Sequence, residues 1–274
     1  MFSFATFLIT FRETLEAALV IGIILAYLNQ IKVGPSYRKS VYWGIGGGIL
    51  FALGLATLFE TQLGGFEGRN EELFEGVTML IAAALITWMI VWMHRQKSIS
   101  KELRDKVQTH VDKERPIGIF LLTLLSVGRE GIETVLFLNA SRFAGEQGQW
   151  ISGILGILLA IALGYTLFAT TKKIPLKQFF TVSGLLLLLF AAGLIAHGTH
   201  ELQEAGVLAI GTQEVWNTNG VINEKGGFGE ILKGLFGYNG NPSLAEVVSY
   251  TSYLALLGWV YFKKDKKRNA SLQS

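Results

Sequence analysis

Two short stretches carry charge where the chain around them carries almost none. "FRETLEAALV" (residues 11–20) sets Arg12, Glu13 and Glu16 inside an apolar run, and "GREGIETVLF" (128–137) repeats the spacing with Arg129, Glu130 and Glu133. Successive helical residues turn by about 100°, so each Arg-Glu-x-x-Glu set fits within an arc of about 100° and forms one polar face. Inward-facing glutamates from neighbouring helices are how helix bundles hold iron or manganese. The arginine can pair with the glutamate four residues on. Each motif still sets two carboxylates against one guanidinium, so the two together leave a residual −2. A purely structural ion pair would close to neutrality, whereas a site for a multivalent cation would not. Hard oxygen ligands favour such cations over copper(I), and zinc more often takes His or Cys. The competing reading is a paired network that only holds the two helices together.

The elements that must position these residues are read from composition. Half of the 274 residues are hydrophobic and 16% are charged, against near a quarter charged in a soluble domain. Seven apolar runs, roughly 2–29, 41–62, 72–94, 116–141, 150–171, 178–200 and 244–262, each have about the 20 residues that cross a hydrocarbon core of about 30 Å. The first run lacks a basic start and carries Arg12, Glu13 and Glu16, unlike a signal peptide. There are no cysteines, which excludes disulfides and thiolate metal sites, and four Met argue against a copper(I) pathway.

Lys and Arg number three in 30–40, seven in 95–115, three in 172–177 and five in 263–268, eighteen in all. The alternate loops 60–71, 142–149 and 201–243 hold four: Arg69, Arg142, Lys225 and Lys233. This imbalance predicts the N-terminus outside and the C-terminus inside. The tail "KKDKKR" then reads as a stop-transfer and topology signal. At 1.5 Å per residue, Arg12 lies about 15 Å below Phe2 and Arg129 about 20 Å past Pro116. Both motifs thus fall near mid-membrane, where an ionised side chain costs several kcal/mol unless it faces the bundle interior.

Run two spaces small residues at Gly44, Gly48, Ala52 and Ala56, and run five at Gly148, Ser152, Gly156, Ala160 and Gly164. Such stripes let helix backbones approach closely in lipid. Runs one and four match through the charged motif, two and five through the stripe, and three and six weakly. The expected fold is therefore all-α and polytopic: seven transmembrane helices, an inverted 3+3 repeat and one extra helix. Its parts are a first repeat (1–96), a cytoplasmic loop (97–115) expected to hold a short solvated helix, and a second, inverted repeat (116–200). They continue with an extracytoplasmic loop (201–243), in which "FGEILKGLFGY" could form a short interfacial helix, a seventh helix (244–262) and a basic tail (263–274). Inverted repeats place substrate sites near the bilayer midplane.

Other polar positions cluster toward the outer side. Glu75 precedes Gly76 in run three, and "HGTHELQEAG" places His197, His200, Glu201 and Glu204 at the outer end of run six. All five are candidates for an access path or vestibule. Histidines at a helix end can also ligate a catalytic metal, but there is no His-Glu-x-x-His, and His94 and His110 are expected on the opposite side.

"FRETLEAALVIGIIL" and "SVGREGIETVLFL" resemble the paired motifs of the oxidase-dependent iron permease family, which includes fungal high-affinity iron permeases and bacterial Efe-system permeases. "ELFEGVTMLIAAALITWM", "AAGLIAHGTHELQEAG" and "ILKGLFGYNGNPSLAEVVSY" are similar to that family's third-helix, sixth-helix and last-helix regions. The resemblance covers nearly the whole chain. It implies a seven-helix plasma-membrane iron transporter, the bacterial inner membrane being one such setting, and no enzyme. Iron would be the transported substrate, with no bound organic cofactor. An extracytoplasmic iron oxidase or iron-delivery protein would be its partner, lipid its surroundings, and nucleic acid would play no part. By the resemblance Glu13, Glu16, Glu130 and Glu133 handle iron, with Arg12 and Arg129 as charge partners. A carrier for another hard divalent cation such as manganese, or a membrane metalloenzyme or assembly subunit, are the competing readings.

Overall fold

The computed structural model describes residues 2–63, 67–93, 99–145, 149–169, 176–224 and 226–270. Gly148, His94, Lys225, the basic cluster at 172–173 and the last four residues lie outside them. The described residues form nine α-helices: α1 (Phe4–Gln30), α2 (Pro35–Leu63), α3 (Arg69–Met93), α4 (Ile99–Asp112), α5 (Pro116–Phe143), α6 (Gln149–Ala169), α7 (Leu176–Glu204), α8 (Gly227–Phe236) and α9 (Leu244–Ala270). No strand occurs among them beyond a single bridge between Glu214 and Ser243. The class is all-α.

Four helices are long and apolar enough to cross a membrane, over Pro35–Thr61, Arg69–Met93, Trp150–Phe168 and Gln178–Glu204. A shorter apolar stretch covers Leu244–Val260 of α9. The helices α1 and α5 have the length, 27 and 28 residues, but each carries the three charges of its motif. Outward-facing Trp43, Leu50, Leu125, Trp150, Ile151 and Tyr165 are exposed, as expected of helices whose solvent is lipid.

The chain divides into two compact units. The first comprises residues 1–66 and 88–184: α1, α2, α4, α5, α6, the last turn of α3 and the start of α7. Ser3 caps α1 by accepting from the Thr6 amide, and its own amide donates to Ser152 Oγ at 2.8 Å, which ties the start of α1 to the start of α6. From there the two helices run side by side in the same direction. Gly153 and Gly156 face Thr10, Gly164 faces Ala18, and Phe168 lies over Gly22. The helices α2 and α5 pair likewise, with Gly44 against Thr123, Gly48 against Val127 and Ala52 against Gly131.

The small-residue stripes thus lie against the two motif-bearing helices, and the approach is tight. A Cβ on Gly48 would come within 2.8 Å of Val127 Cβ and 3.0 Å of the Gly128 amide nitrogen, and one on Gly156 within 2.7 Å of the Phe7 carbonyl oxygen. The helix α5 runs counter to α1: Ile119 near its start packs with Ile24 and Leu28 near the end of α1, while Glu130 and Glu133 meet Glu13 nearer the start of α1.

The helix α4 is less solvated than its mixed charge implies. Its apolar residues Leu103 and Val107, four apart, are buried in a cluster with Ile24, Leu28, Val41 and Ile119. Tyr27 Oη donates to Gln108 Oε1 at 2.7 Å. The helix therefore lies against the end of α1 and the start of α5.

The second unit comprises residues 67–87 and 185–274. There α3 and α7 cross where Gly76 meets Gly198, a Cβ on Gly76 falling 3.1 Å from the Gly198 carbonyl oxygen. The segment after α7 holds α8, whose C-terminal Gly237 adopts a left-handed φ of 65°. The backbone of Gly237 lies directly against that of Gly193. Gly193 sits eleven residues before the end of α7, about 16 Å along the helix. This segment therefore folds back along α7 rather than only resting at its C-terminal end.

Candidate metal centre

The first unit brings both charged motifs together. In α1 the Arg12 side chain is completely buried, with Nη1 2.7 Å from Glu13 Oε1 and Nη2 2.6 Å from Glu16 Oε1. In α5 Arg129 Nε lies 3.4 Å from Glu130 Oε1 and 3.2 Å from Glu133 Oε1, and its side chain is 39% exposed. The i,i+4 spacing read from the sequence is realised as an ion pair in both helices. The two arginines differ sharply in burial.

Across the helices, Glu13, Glu130 and Glu133 each offer a carboxylate oxygen, and these three atoms lie within 4.8 Å of one another. All three residues are buried. Oε2 of each is buried and receives no hydrogen bond. A buried carboxylate oxygen without a donor costs free energy, and three carboxylates gathered this closely repel one another when ionised. A multivalent cation held among them would remove both costs, since hard oxygen donors at such spacing suit a divalent or trivalent ion. Glu16 stands on the Arg12 side of the cluster and is not one of the converging three.

A third helix completes the surroundings. The last turn of α3 places Met89 Sδ 2.9 Å from Arg12 Nη1 and Met93 Sδ 3.5 Å from Arg12 Nη2. Between them in sequence, the Trp92 ring lies under Arg129, with Cζ 5.2 Å from the ring centroid, within the range of a cation–π contact. One turn of α3 thus touches both arginines. Sequence reading passed over these three residues, because Met and Trp in an apolar helix look like packing. Their one signal was two methionines four apart flanking a tryptophan in "TWMIVWM".

The access-path candidates lie in the second unit. His200 Nδ1 donates to Glu246 Oε1 at 3.0 Å, and its Nε2 lies 3.3 Å from Glu204 Oε1. Glu246 is almost fully buried and also accepts from the Ser243 amide and from Asn239 Nδ2. The Glu246 amide in turn donates to Ser243 Oγ, so Ser243 and Glu246 form a capping box at the start of α9. His200 is thereby tied to a helix cap. His197 Nδ1 donates to the Gly193 carbonyl within α7. Glu75 and Glu201 are half-buried beside the Gly76–Gly198 crossing. Among the described residues no group of three ligand side chains other than Glu13, Glu130 and Glu133 converges closely enough to hold an ion.

An all-helical chain with a buried carboxylate cluster on two apolar helices is the build of a membrane cation transporter. Comparison with known proteins gives the class its family: residues 3–263 match the iron permease FTR1 family. The chain belongs to that family, whose members are transporters and not enzymes. It is similar to the ferrous iron permease EfeU of Escherichia coli O6:K15:H31, 32% identical over 265 residues, which cover 94% of this chain and 95% of that one. It is also similar to the ferrous iron permease EfeU of Yersinia pseudotuberculosis, 33% identical over 260 residues, 93% of this chain and 90% of that one. A relative from Escherichia coli K12, 32% identical over 257 residues and 92% of each chain, bears the name of an inactive ferrous iron permease. No solved structure matches the chain.

Proposed function

We propose that this protein imports iron across the plasma membrane, the inner membrane in a bacterium, through a midplane site built from its two Arg-Glu-x-x-Glu motifs. One observation carries the reading. Three buried glutamates from α1 and α5 each bring a carboxylate oxygen within 4.8 Å of the others, and each has a buried oxygen without a hydrogen-bond donor. Membership of an iron permease family and likeness to ferrous iron permeases support iron as the cargo. In this reading Glu13, Glu130 and Glu133 coordinate the ion. Glu16 keeps Arg12 in place and becomes available when the ion displaces the guanidinium. Arg12 and Arg129 act as resident counter-charges that stabilise the carboxylates between transport events. With four carboxylates and two guanidiniums, a divalent ion brings the site to neutrality, which lowers the cost of holding it in a low-dielectric interior.

Seven helices cross the bilayer in this proposal: α1, α2, α3, α5, α6, α7 and α9, with the N-terminus outside. The parallel pairing of α1 with α6 and of α2 with α5 supports an inverted 3+3 repeat, because exchanging the repeats exchanges those two pairs. A separate extracytoplasmic iron-delivery protein would feed the site with the divalent ion. His197, His200, Glu201, Glu204 and Glu75 would lie at the outer ends of their helices in this topology.

The test is initial radio-iron uptake in cells carrying Glu13→Gln, Glu130→Gln or Glu133→Gln, each normalised to folded protein extracted in detergent. Each change removes a charge and keeps the shape. Normalised uptake should fall by on the order of tenfold or more, the effect of about 1.4 kcal/mol or more at the site. Uptake that only follows the amount of folded protein would mean the glutamates serve structure alone.

A further inference from the structure

Each terminal nitrogen of Arg12 lies close to both an oxygen and a sulfur. Nη1 is 2.7 Å from Glu13 Oε1 and 2.9 Å from Met89 Sδ. Nη2 is 2.6 Å from Glu16 Oε1 and 3.5 Å from Met93 Sδ. A thioether is a weak hydrogen-bond acceptor, so it does little for a guanidinium that already has two carboxylates. Leucine would fill the same buried space, Met89 being 2% exposed. What a thioether offers that leucine cannot is a lone pair to a metal ion. Arg12 is itself a cation in that position, and its nitrogen marks a point reached by both donors. An ion that displaces Nη1 from Glu13 would be within reach of both a carboxylate oxygen and a thioether sulfur.

Sulfur of this kind contributes almost nothing to Mg²⁺ or Ca²⁺, favours the ferrous over the ferric ion, and binds borderline and soft divalent ions. We infer that Met89 is a ligand to the transported ion, taking the place of Arg12 beside Glu13, and that its sulfur selects a borderline divalent transition metal such as the ferrous ion. This rests on the carboxylate site proposed above and narrows its cargo. It differs from a copper(I) pathway, which would need several sulfurs and no converging carboxylates.

The experiment uses full-length protein in which selenomethionine replaces all four methionines, purified in detergent and loaded anaerobically with Fe²⁺. X-ray absorption at the iron edge should show selenium as well as oxygen in the first shell. The selenium signal should vanish in Met89→Leu and persist in Met79→Leu, a core position in the second unit. Met-to-Leu swaps in a core usually cost under about 1.5 kcal/mol, so both variants should fold. In uptake assays Met89→Leu should weaken competition by Cd²⁺ on the order of tenfold and leave competition by Mn²⁺ unchanged. Bound iron with an oxygen-only shell in the parent protein would overturn the role of Met89 and leave the carboxylate site standing. Unchanged Cd²⁺ competition in the variant would overturn it as well. Failure of the parent protein to bind iron at all would instead overturn the site beneath it.

Discussion

Arg12 heads the largest side chains that the described residues bury completely, and it holds two carboxylates from that position. Arg129 performs the same pairing from a place 39% exposed, at longer distances and with the Trp92 ring beneath it. Lysine at either position keeps the charge but loses the planar fork that reaches two oxygens at once. At Arg12 the loss leaves a buried carboxylate without its partner, a cost of about 3–5 kcal/mol when a buried pair is broken. At Arg129 solvent takes over part of the role, and the stacking lost is worth about 0.5–2 kcal/mol. Arg12→Lys should therefore abolish iron uptake and lower the yield of folded protein, whereas Arg129→Lys should reduce uptake several-fold at normal yield. Uptake and detergent-extracted yield measured together distinguish the two, and equal effects would show that burial does not set their roles. Glu13, Glu130 and Glu133 were legible in the sequence because a charge inside an apolar run has to be accounted for. Met89, Trp92 and Met93 were not, because nothing in their chemistry separates a side chain that touches an arginine from one that fills space.

Pairs of helices, rather than single helices, position the site. The α1–α6 and α2–α5 pairs pack backbone to backbone through glycines, and these close contacts fix the heights of Glu13 and Glu130. Without a hydrophobic drive between helices in lipid, such contacts supply much of the association. Leucine at Gly48 would press on Val127 and the Gly128 amide nitrogen, and leucine at Gly156 on the Phe7 carbonyl and the Phe11 amide nitrogen. Overpacking of this kind costs about 1–3 kcal/mol. Each variant should melt at a lower temperature in detergent, while leucine at Gly54, which has open space around it, should not. If Gly48→Leu and Gly156→Leu melted like the parent, the helix pairs would be looser than described. The stripes were visible in the sequence as small residues four apart, although which helix each one faces was not. The burial of α4 was missed although Ile99, Leu103, Val107 and Val111 recur every four residues, because the many charges between them drew the reading toward a solvated helix. The Ser243–Glu246 cap lay in plain view as Ser-x-x-Glu ahead of an apolar run.

Across the whole chain, charge outside the motifs follows the loops, eighteen Lys and Arg on one set against four on the other. A reporter fused after residue 274 should be active only in the cytoplasm, and activity outside the cell would reverse the proposed direction of every helix. The number of membrane crossings was harder to read than their existence. The motif charges lower the apolar character of α1 and α5, the two helices that matter most. The coming together of α1 and α5 is a tertiary fact that no local pattern encodes. The claim that depends on it is that carboxylates from the two helices form one site. A cross-helix cycle tests it: normalised iron uptake for Glu13→Gln, Glu133→Gln and the double variant. If both bind the same ion, either change alone should remove most of the uptake and the double should be no worse than the poorer single, because residues in one network are strongly non-additive. Losses that multiply, each change acting as though the other were absent, would contradict a single shared site.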